Sequence, residues 1–222
     1  MSKPFFDPES LPVESIAGES AIPAERLNCD WLRRRFADPP LWIPEDQEES
    51  RLRRQIREPI PAAVLMPIVA RDGRLTLLLT LRTDHLNDHA GQVSLPGGRI
   101  EPYDGGVVAA ALRETEEEVG LQRHHLEVLG TLPDYVTGTG YRVTPVVALA
   151  QPPFELHADP FEVAEIFEVP LAFLMDGGNH QRRTAQLPDG RRRTFYAMPY
   201  QRYFIWGATA GMLRNLYHFL RA

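Results

Sequence analysis

The chain has 222 residues, of which 43% are hydrophobic, a formal net charge of −6 and one cysteine. This is enough apolar material for a real core in one large domain or one domain with an appendage, and no apolar run reaches the roughly 18 to 20 residues that span a membrane. The negative charge argues against nonspecific nucleic-acid binding, and Cys29, having no second cysteine, can make no internal disulfide. The start, MSKPFFDPES, lacks the basic-then-apolar pattern of a secretion signal, so the chain reads as cytoplasmic.

Residues 1–60 are rich in Pro, Glu and Arg and read as an N-terminal extension. It holds one amphipathic helix around Ala24 to Phe36 and a second charged stretch, EDQEESRLRRQIREP. Trp31, Leu32 and Phe36 beside three arginines suit packing against another surface, and a homodimer is one way to supply it. The regular pattern begins at AAVLMPIVA, turns at Asp72-Gly73 and resumes in RLTLLLTLR, which predicts a hairpin. After a polar loop and the glutamate-rich segment from Gly97 to Leu121, LEVLGTLPDYVT and YRVTPVVALA read as two further strands. EVAEIFEVPLAFLMD predicts a strand running into a short helix. RRTAQLPDGRRRTFYAMPY predicts a hairpin turning at Pro-Asp-Gly, and WGATAGMLRNLYHFL a closing helix. Strands interleaved with helices from residue 61 to 222 predict one α/β domain with a mixed sheet.

The segment Arg113 to Glu118 holds four glutamates and an arginine in six positions. Placed on a helix over residues 105–119, Val107, Val108, Ala111, Leu112, Thr115 and Val119 gather on one face, which packs on the sheet. Glu114, Glu117 and Glu118 form a second stripe, and Glu116 points away from both. Like charges at these spacings weaken an isolated helix, so something positive should compensate; hard cations such as Mg²⁺ take carboxylate oxygens of this kind. On charge alone, a solvated acidic face partly neutralised by Arg113 is the other reading.

The residues before the helix change the balance. GGRIEPYDGGVVAAALRETEEEVGL resembles the Nudix box, whose Arg-Glu-x-x-Glu-Glu-x-Gly ending is matched by Arg113, Glu114, Glu117, Glu118 and Gly120. The usual upstream acid stands as Asp104, and eight residues rather than seven separate it from Arg113. The coenzyme A diphosphatase branch of the family resembles this chain in the same respect. Its upstream signature is similar to LLTLRTDHLNDHAGQVSLPGG, with Leu95 where the branch usually has Phe. The likeness runs from about Pro61 to the C-terminus.

The resemblance implies a Nudix-type α/β/α sandwich with a mixed β-sheet and a catalytic loop-helix-loop. It implies metal-dependent hydrolysis of the diphosphate of coenzyme A or acyl-coenzyme A to adenosine 3′,5′-bisphosphate and 4′-phosphopantetheine or its acyl derivative. Mg²⁺ or Mn²⁺ would be held by Glu114, Glu117, Glu118 and the Gly97 carbonyl, with Arg113 orienting the glutamates. For the general base Glu114 stands first, then Glu165, then Glu162. Arg82, His89 and Gln92 in the branch-like segment are candidates for substrate contact. The basic run Gly190 to Thr194 reads either as a soluble turn or as an anchor for the 3′-phosphate. Two alternatives stand beside this: a Nudix pyrophosphatase for ADP-ribose, NADH or dinucleoside polyphosphates, and a noncatalytic nucleotide-sensing module, in which the box glutamates should be eroded.

Overall fold

The computed structural model describes residues 6–45, 58–86 and 89–222. Most of the charged stretch EDQEESRLRRQIREP therefore lies outside the described residues. In chain order the elements are β1 (Ser15–Ile16), α1 (Cys29–Ala37), β2 (Ile60–Arg71), β3 (Arg74–Arg82), β4 (Val93–Ser94), β5 (Gly97–Arg99), α2 (Val107–Val119), β6 (Leu126–Thr131), β7 (Tyr135–Val136), β8 (Tyr141–Ala150), β9 (Val163–Pro170), α3 (Leu171–Leu174), β10 (Gln181–Gln186), β11 (Arg192–Tyr200), β12 (Tyr203–Trp206) and α4 (Gly207–Arg221).

β2 organises the larger sheet. It runs parallel to β8 over residues 60–69, while its other edge is shared: residues 68–71 pair with β3 and residues 62–64 with β5, both antiparallel. β9 continues the sheet beyond β3, and β6 beyond β8. The sheet is thus mixed, and alternation along β2 supplies two apolar faces. Ala63 and Leu65 point to α2 and pack with Ala110, Ala111, Val146 and Ala148. Ala62, Met66 and Ile68 point the other way, into a larger core with Leu213, Leu216 and Tyr217 of α4. A central sheet between α2 and α4 is the α/β/α layering.

Two features depart from the sequence reading. The hairpin β10–β11 does not join this sheet but builds a second, four-stranded one in the order β1-β10-β11-β12. Its outer partner, β1, comes from the N-terminal segment, pairing Ser15 with Arg182 and Ile16 with Gln181. The stretch read as one strand from Leu126 is also two, β6 and β7, because the chain turns through Leu132 to Asp134 around Pro133.

The helix α1 starts later than its periodicity suggests, because Asn28 caps it: the Asn28 side chain accepts from the Trp31 N–H at 2.9 Å, and a 3₁₀ turn occupies Ala24–Arg26. Its apolar side is covered by the chain itself. Leu32 is fully buried, Phe36 packs against Phe219 with ring centroids 4.6 Å apart, and Arg35 donates to the carbonyls of Phe219 and Leu220 at the end of α4. The surface that suggested a homodimer is therefore met within one chain. No helix among the described residues is long and apolar enough to cross a membrane.

Candidate active site

The site is built where β5 meets α2. Gly97 and Gly98 must be glycine for steric reasons. Gly97 has φ +151, and a Cβ there would lie 2.4 Å from the Ala63 carbonyl oxygen; a Cβ on Gly98 would lie 2.6 Å from the Glu114 carboxylate. The backbone of β5 thereby lies directly against two glutamates of α2. Gly106, at φ +116, opens the helix and Gly120, at φ +70, ends it, the Gly120 N–H donating to the Glu116 carbonyl at 3.0 Å.

The glutamates separate as the helical wheel requires. Glu118 is 4% exposed and accepts from the Gly97 N–H at 3.2 Å, with the Arg82 guanidinium 3.7 Å away. Burial, with further repulsion from Glu162 and Glu114, pushes its carboxyl up to about 8, although Arg82 and the Gly97 N–H pull the other way. Glu114 is half-buried and also raised, by burial first, against the pull of Arg113. Glu117 is exposed and Glu116 turns away to Arg123, whose backbone N–H it accepts at 2.9 Å.

Arg113 is the hub of the near side. Its guanidinium donates to Asp104, Glu114 and Glu117, each at 2.9 Å, and none of its contacts is to Glu118. Asp104 also accepts from the Glu101 N–H at 2.8 Å, and the Arg113 guanidinium holds its carboxyl down to about 2. The extra residue between Asp104 and Arg113 is absorbed in the turn ahead of α2, and the pair still meets.

Arg82, His89 and Gln92 come together on the opposite side of Glu118. The Arg82 N–H donates to the Gln92 carbonyl at 3.0 Å, the Gln92 N–H to the His89 carbonyl at 3.1 Å, and the His89 ring Nδ1 lies 2.9 Å from Gln92 Oε1. His89 has φ +60, a left-handed turn that brings the loop back to β4. Arg82 also faces Glu162 at 3.6 Å.

Glu165 is elsewhere. It pairs with Leu81 in the β3–β9 ladder and has the parity of Phe167 and Val169, which face the α4 side of the sheet, so its carboxylate lies on the far face from α2. There it accepts from Tyr203 Oη at 2.5 Å and pairs with Arg202. Glu165 thus cannot share a proton with groups held by Glu118, and Glu162, ranked below it from sequence, is the β9-side acid that faces the α2 cluster. Parity with Phe167 was a readable signal for Glu165. The register shift between Leu81 and Arg82, which reorients the chain ahead of it, has no signature in the sequence. The basic run is likewise spoken for: Arg191 pairs with Asp189 at 2.6 Å and Arg192 with Glu14 at 2.8 Å.

As placed, no three His, Cys, Asp or Glu side chains among the described residues converge on one cation position. The donor set nevertheless fits a hard divalent ion. Glu118 is a buried carboxyl with one backbone N–H partner, Glu114 is its half-buried neighbour, and Glu162 adds negative charge. An Mg²⁺- or Mn²⁺-like cation would compensate that cluster.

A NUDIX domain family profile matches residues 59–187. The Nudix hydrolase NudL of Escherichia fergusonii, an uncharacterized protein, is 45% identical over 155 residues, covering 70% of this chain and 80% of that one. NudL of Escherichia coli O139:H28 is 41% identical over 190 residues, 86% of this chain and 93% of that one. Among solved structures, the Nudix hydrolase RenU from M. smegmatis matches with a TM-score of 0.44 and 26% identity over 51% of this chain and 72% of that one. A profile match over more than half of the chain, with relatives above 40% identity along most of their length, means that this chain belongs to the Nudix hydrolase family.

Proposed function

We propose that the chain hydrolyses the diphosphate of coenzyme A or an acyl-coenzyme A. Water adds across one P–O bond, releasing adenosine 3′,5′-bisphosphate and 4′-phosphopantetheine or its acyl form. The observation that supports this reading is Arg82 of the branch-like segment standing 3.7 Å from Glu118, with Gln92 tied to it, and His89 to Gln92, by backbone hydrogen bonds.

The bound Mg²⁺ or Mn²⁺, held by Glu118, Glu114 and Glu117 with the Gly97 carbonyl as a further ligand, would supply charge neutralisation and an acidified water. The residues of the chain do the rest. Arg82 would neutralise a phosphoryl oxygen while staying tied to the loop through its own N–H. Arg113, pinned by Asp104, sets the angle of Glu114 and holds Glu117 in reach. Glu114, whose affinity for a proton is raised by burial, is the first choice for taking the proton from the attacking water, and Glu162 the second. Glu165 is not retained in that role. The small molecule is the partner, and neither nucleic acid nor a membrane is part of the reading.

A panel of coenzyme A, acetyl-coenzyme A, ADP-ribose and NADH, with products identified by mass, tests the substrate. Arg82→Ala, His89→Ala and Gln92→Ala should lower kcat/KM for coenzyme A by about ten- to a hundredfold, and metal affinity should stay near wild type for His89→Ala and Gln92→Ala, whereas Arg82→Ala, which removes a cation beside Glu118, should change it. Equal losses on ADP-ribose would show that the segment supports the site in general and would remove the argument for coenzyme A. Absence of hydrolysis on the whole panel, with metal bound, would favour a sensing module.

A further inference from the structure

On the face of the sheet away from α2, a recess of about 220 Å³ opens between β12 and the ends of β3, β4 and β9. Its volume is below the range typical of whole small-molecule sites, about 300 Å³ and upward, so it suits one ring system of a larger ligand. Leu81 and Val93 give it an apolar floor, and Tyr203, laid flat on Phe167 with ring planes 3° apart, an aromatic wall. Both polar contacts to the Glu165 carboxylate, from Arg202 and Tyr203, fall on Oε1. Oε2 has no partner among the described residues. β12 is an edge strand, and Pro199, which has no N–H, stands opposite Phe204 in the β11–β12 ladder. In an antiparallel ladder such a position is a non-bonded pair, so the Phe204 N–H and carbonyl point outward, toward the recess.

The recess opens at the ends of β3 and β4, where Gly91 lines it, across the sheet from the reactive centre. Leu81 and Val93 in its floor flank Arg82 and Gln92, which are bonded to each other and lead to Glu118 through the sheet. Its upper wall, Arg202 to Trp206, lies beyond residues 59–187 that match the family, while Glu165 and the apolar floor lie within them.

We propose that this recess takes the adenine ring of the substrate, the exocyclic amino group donating to Glu165 Oε2 and the outward Phe204 amide facing the ring nitrogens. The proposal rests on the reading of the chain as a diphosphate hydrolase but not on coenzyme A, since ADP-ribose and NADH carry the same base.

Glu165→Gln is the diagnostic variant. Arg202 and Tyr203, both donors, hold the amide oxygen at the Oε1 position, which turns the NH₂ toward the base; it then repels an amino group and suits the carbonyl of hypoxanthine. The wild-type chain should prefer coenzyme A over its deaminated, hypoxanthine form by about tenfold in kcat/KM, and Glu165→Gln should bring that ratio to about one or below. If coenzyme A is not hydrolysed, the substrate reading fails by itself, and ADP-ribose against its inosine counterpart gives the same ratio. If no diphosphate is turned over, the Kd values of AMP and IMP for the full chain give it. A base preference absent in the wild type, or unchanged in Glu165→Gln with its melting temperature intact, overturns the proposal.

Discussion

Glu118 combines burial with a carboxyl that ionises only when something positive is near, and this determines what its replacement should do. Glu118→Gln replaces a carboxyl that burial already keeps largely neutral without metal by a neutral amide of the same shape, which retains the acceptor for the Gly97 N–H, so stability without metal should hold. Turnover should fall by about a hundredfold or more, as it should for Glu114→Gln, corresponding to roughly 3 kcal/mol of lost transition-state stabilisation. Glu117→Gln should be milder, since Glu117 is exposed and shares Arg113 with two other acids. Glu116→Gln, which loses only the surface contact to Arg123, is the control and should stay within about twofold of wild type. Steady-state kinetics with Mg²⁺, with Mn²⁺ and in EDTA checks the set: activity surviving thorough chelation, or a crippled Glu116→Gln, would show that the stripe is not the metal site. Gly98→Ala belongs with them. Its methyl group meets the Glu114 carboxylate at a distance real contacts never reach, so turnover should drop although no charge is changed.

At the scale of elements, the N-terminal segment and α4 are joined by a buried ion network. Arg214, 2% exposed, donates to Glu45 at 2.8 Å, to both carboxylate oxygens of Glu19, and toward His180 Nδ1 at 3.1 Å. Tyr196 Oη donates to Glu45 at 2.5 Å, and Tyr217 Oη to the Ser20 carbonyl at 2.7 Å. Arg214→Met fills the space but leaves two acids with no matching charge, and should cost about 3 kcal/mol, read by urea denaturation. Leu32→Ala on α1 should cost about 2 to 5 kcal/mol, because the fully buried side chain is enclosed by the core. Removing residues 1–55 takes away Glu19, Glu45, Leu32 and the β1 edge together. The shortened chain should lose its cooperative melt, and a chain that still melted cooperatively would show that residues 6–45 only decorate a domain complete without them.

For the whole molecule, the same network makes stability depend on pH in a definite direction. His180 Nε2 donates to the Leu174 carbonyl at 2.8 Å and Nδ1 accepts from Arg214, so the ring is held neutral; burial pulls its proton affinity down to about 4. The unfolded chain binds that proton at pH near 6.5, so stability is complete above that value and is lost as pH falls to about 4, by roughly 3 kcal/mol in all. Glu45 adds a second, more acid window. Burial opposes its ionisation, but hydrogen bonds from His218, Tyr196 and Arg214 outweigh that and hold it down to about 2, so its contribution is lost as pH falls below about 4.5. Urea midpoints at pH 7.5, 6, 5 and 4 should decline through the first window, and His180→Gln should flatten the decline between pH 6.5 and 4.

Much of the fold and of the near side of the site was legible in one dimension because local rules generate them. The Asp72-Gly73 turn joins β2 to β3, periodicity set the sheet-facing side of α2, and the three- and four-residue spacing of Glu114, Glu117 and Glu118 separated them from Glu116. The paired glycines before the helix also had a local meaning, close approach of the backbone to its surroundings, although only the tertiary structure identifies Glu114 as what Gly98 approaches and Ala63 as what Gly97 approaches. Other features depended on contacts between residues far apart in sequence. That β1 edges a second sheet, that Arg214 meets Glu19 and Glu45, and that Glu162 rather than Glu165 faces Glu118 are decided by pairing over separations of roughly forty to two hundred residues. Periodicity places a side chain on one face of its own element, whereas the partner of that face is chosen by how the elements stack, and a single register shift at Leu81/Arg82 was enough to redirect one acid relative to the next.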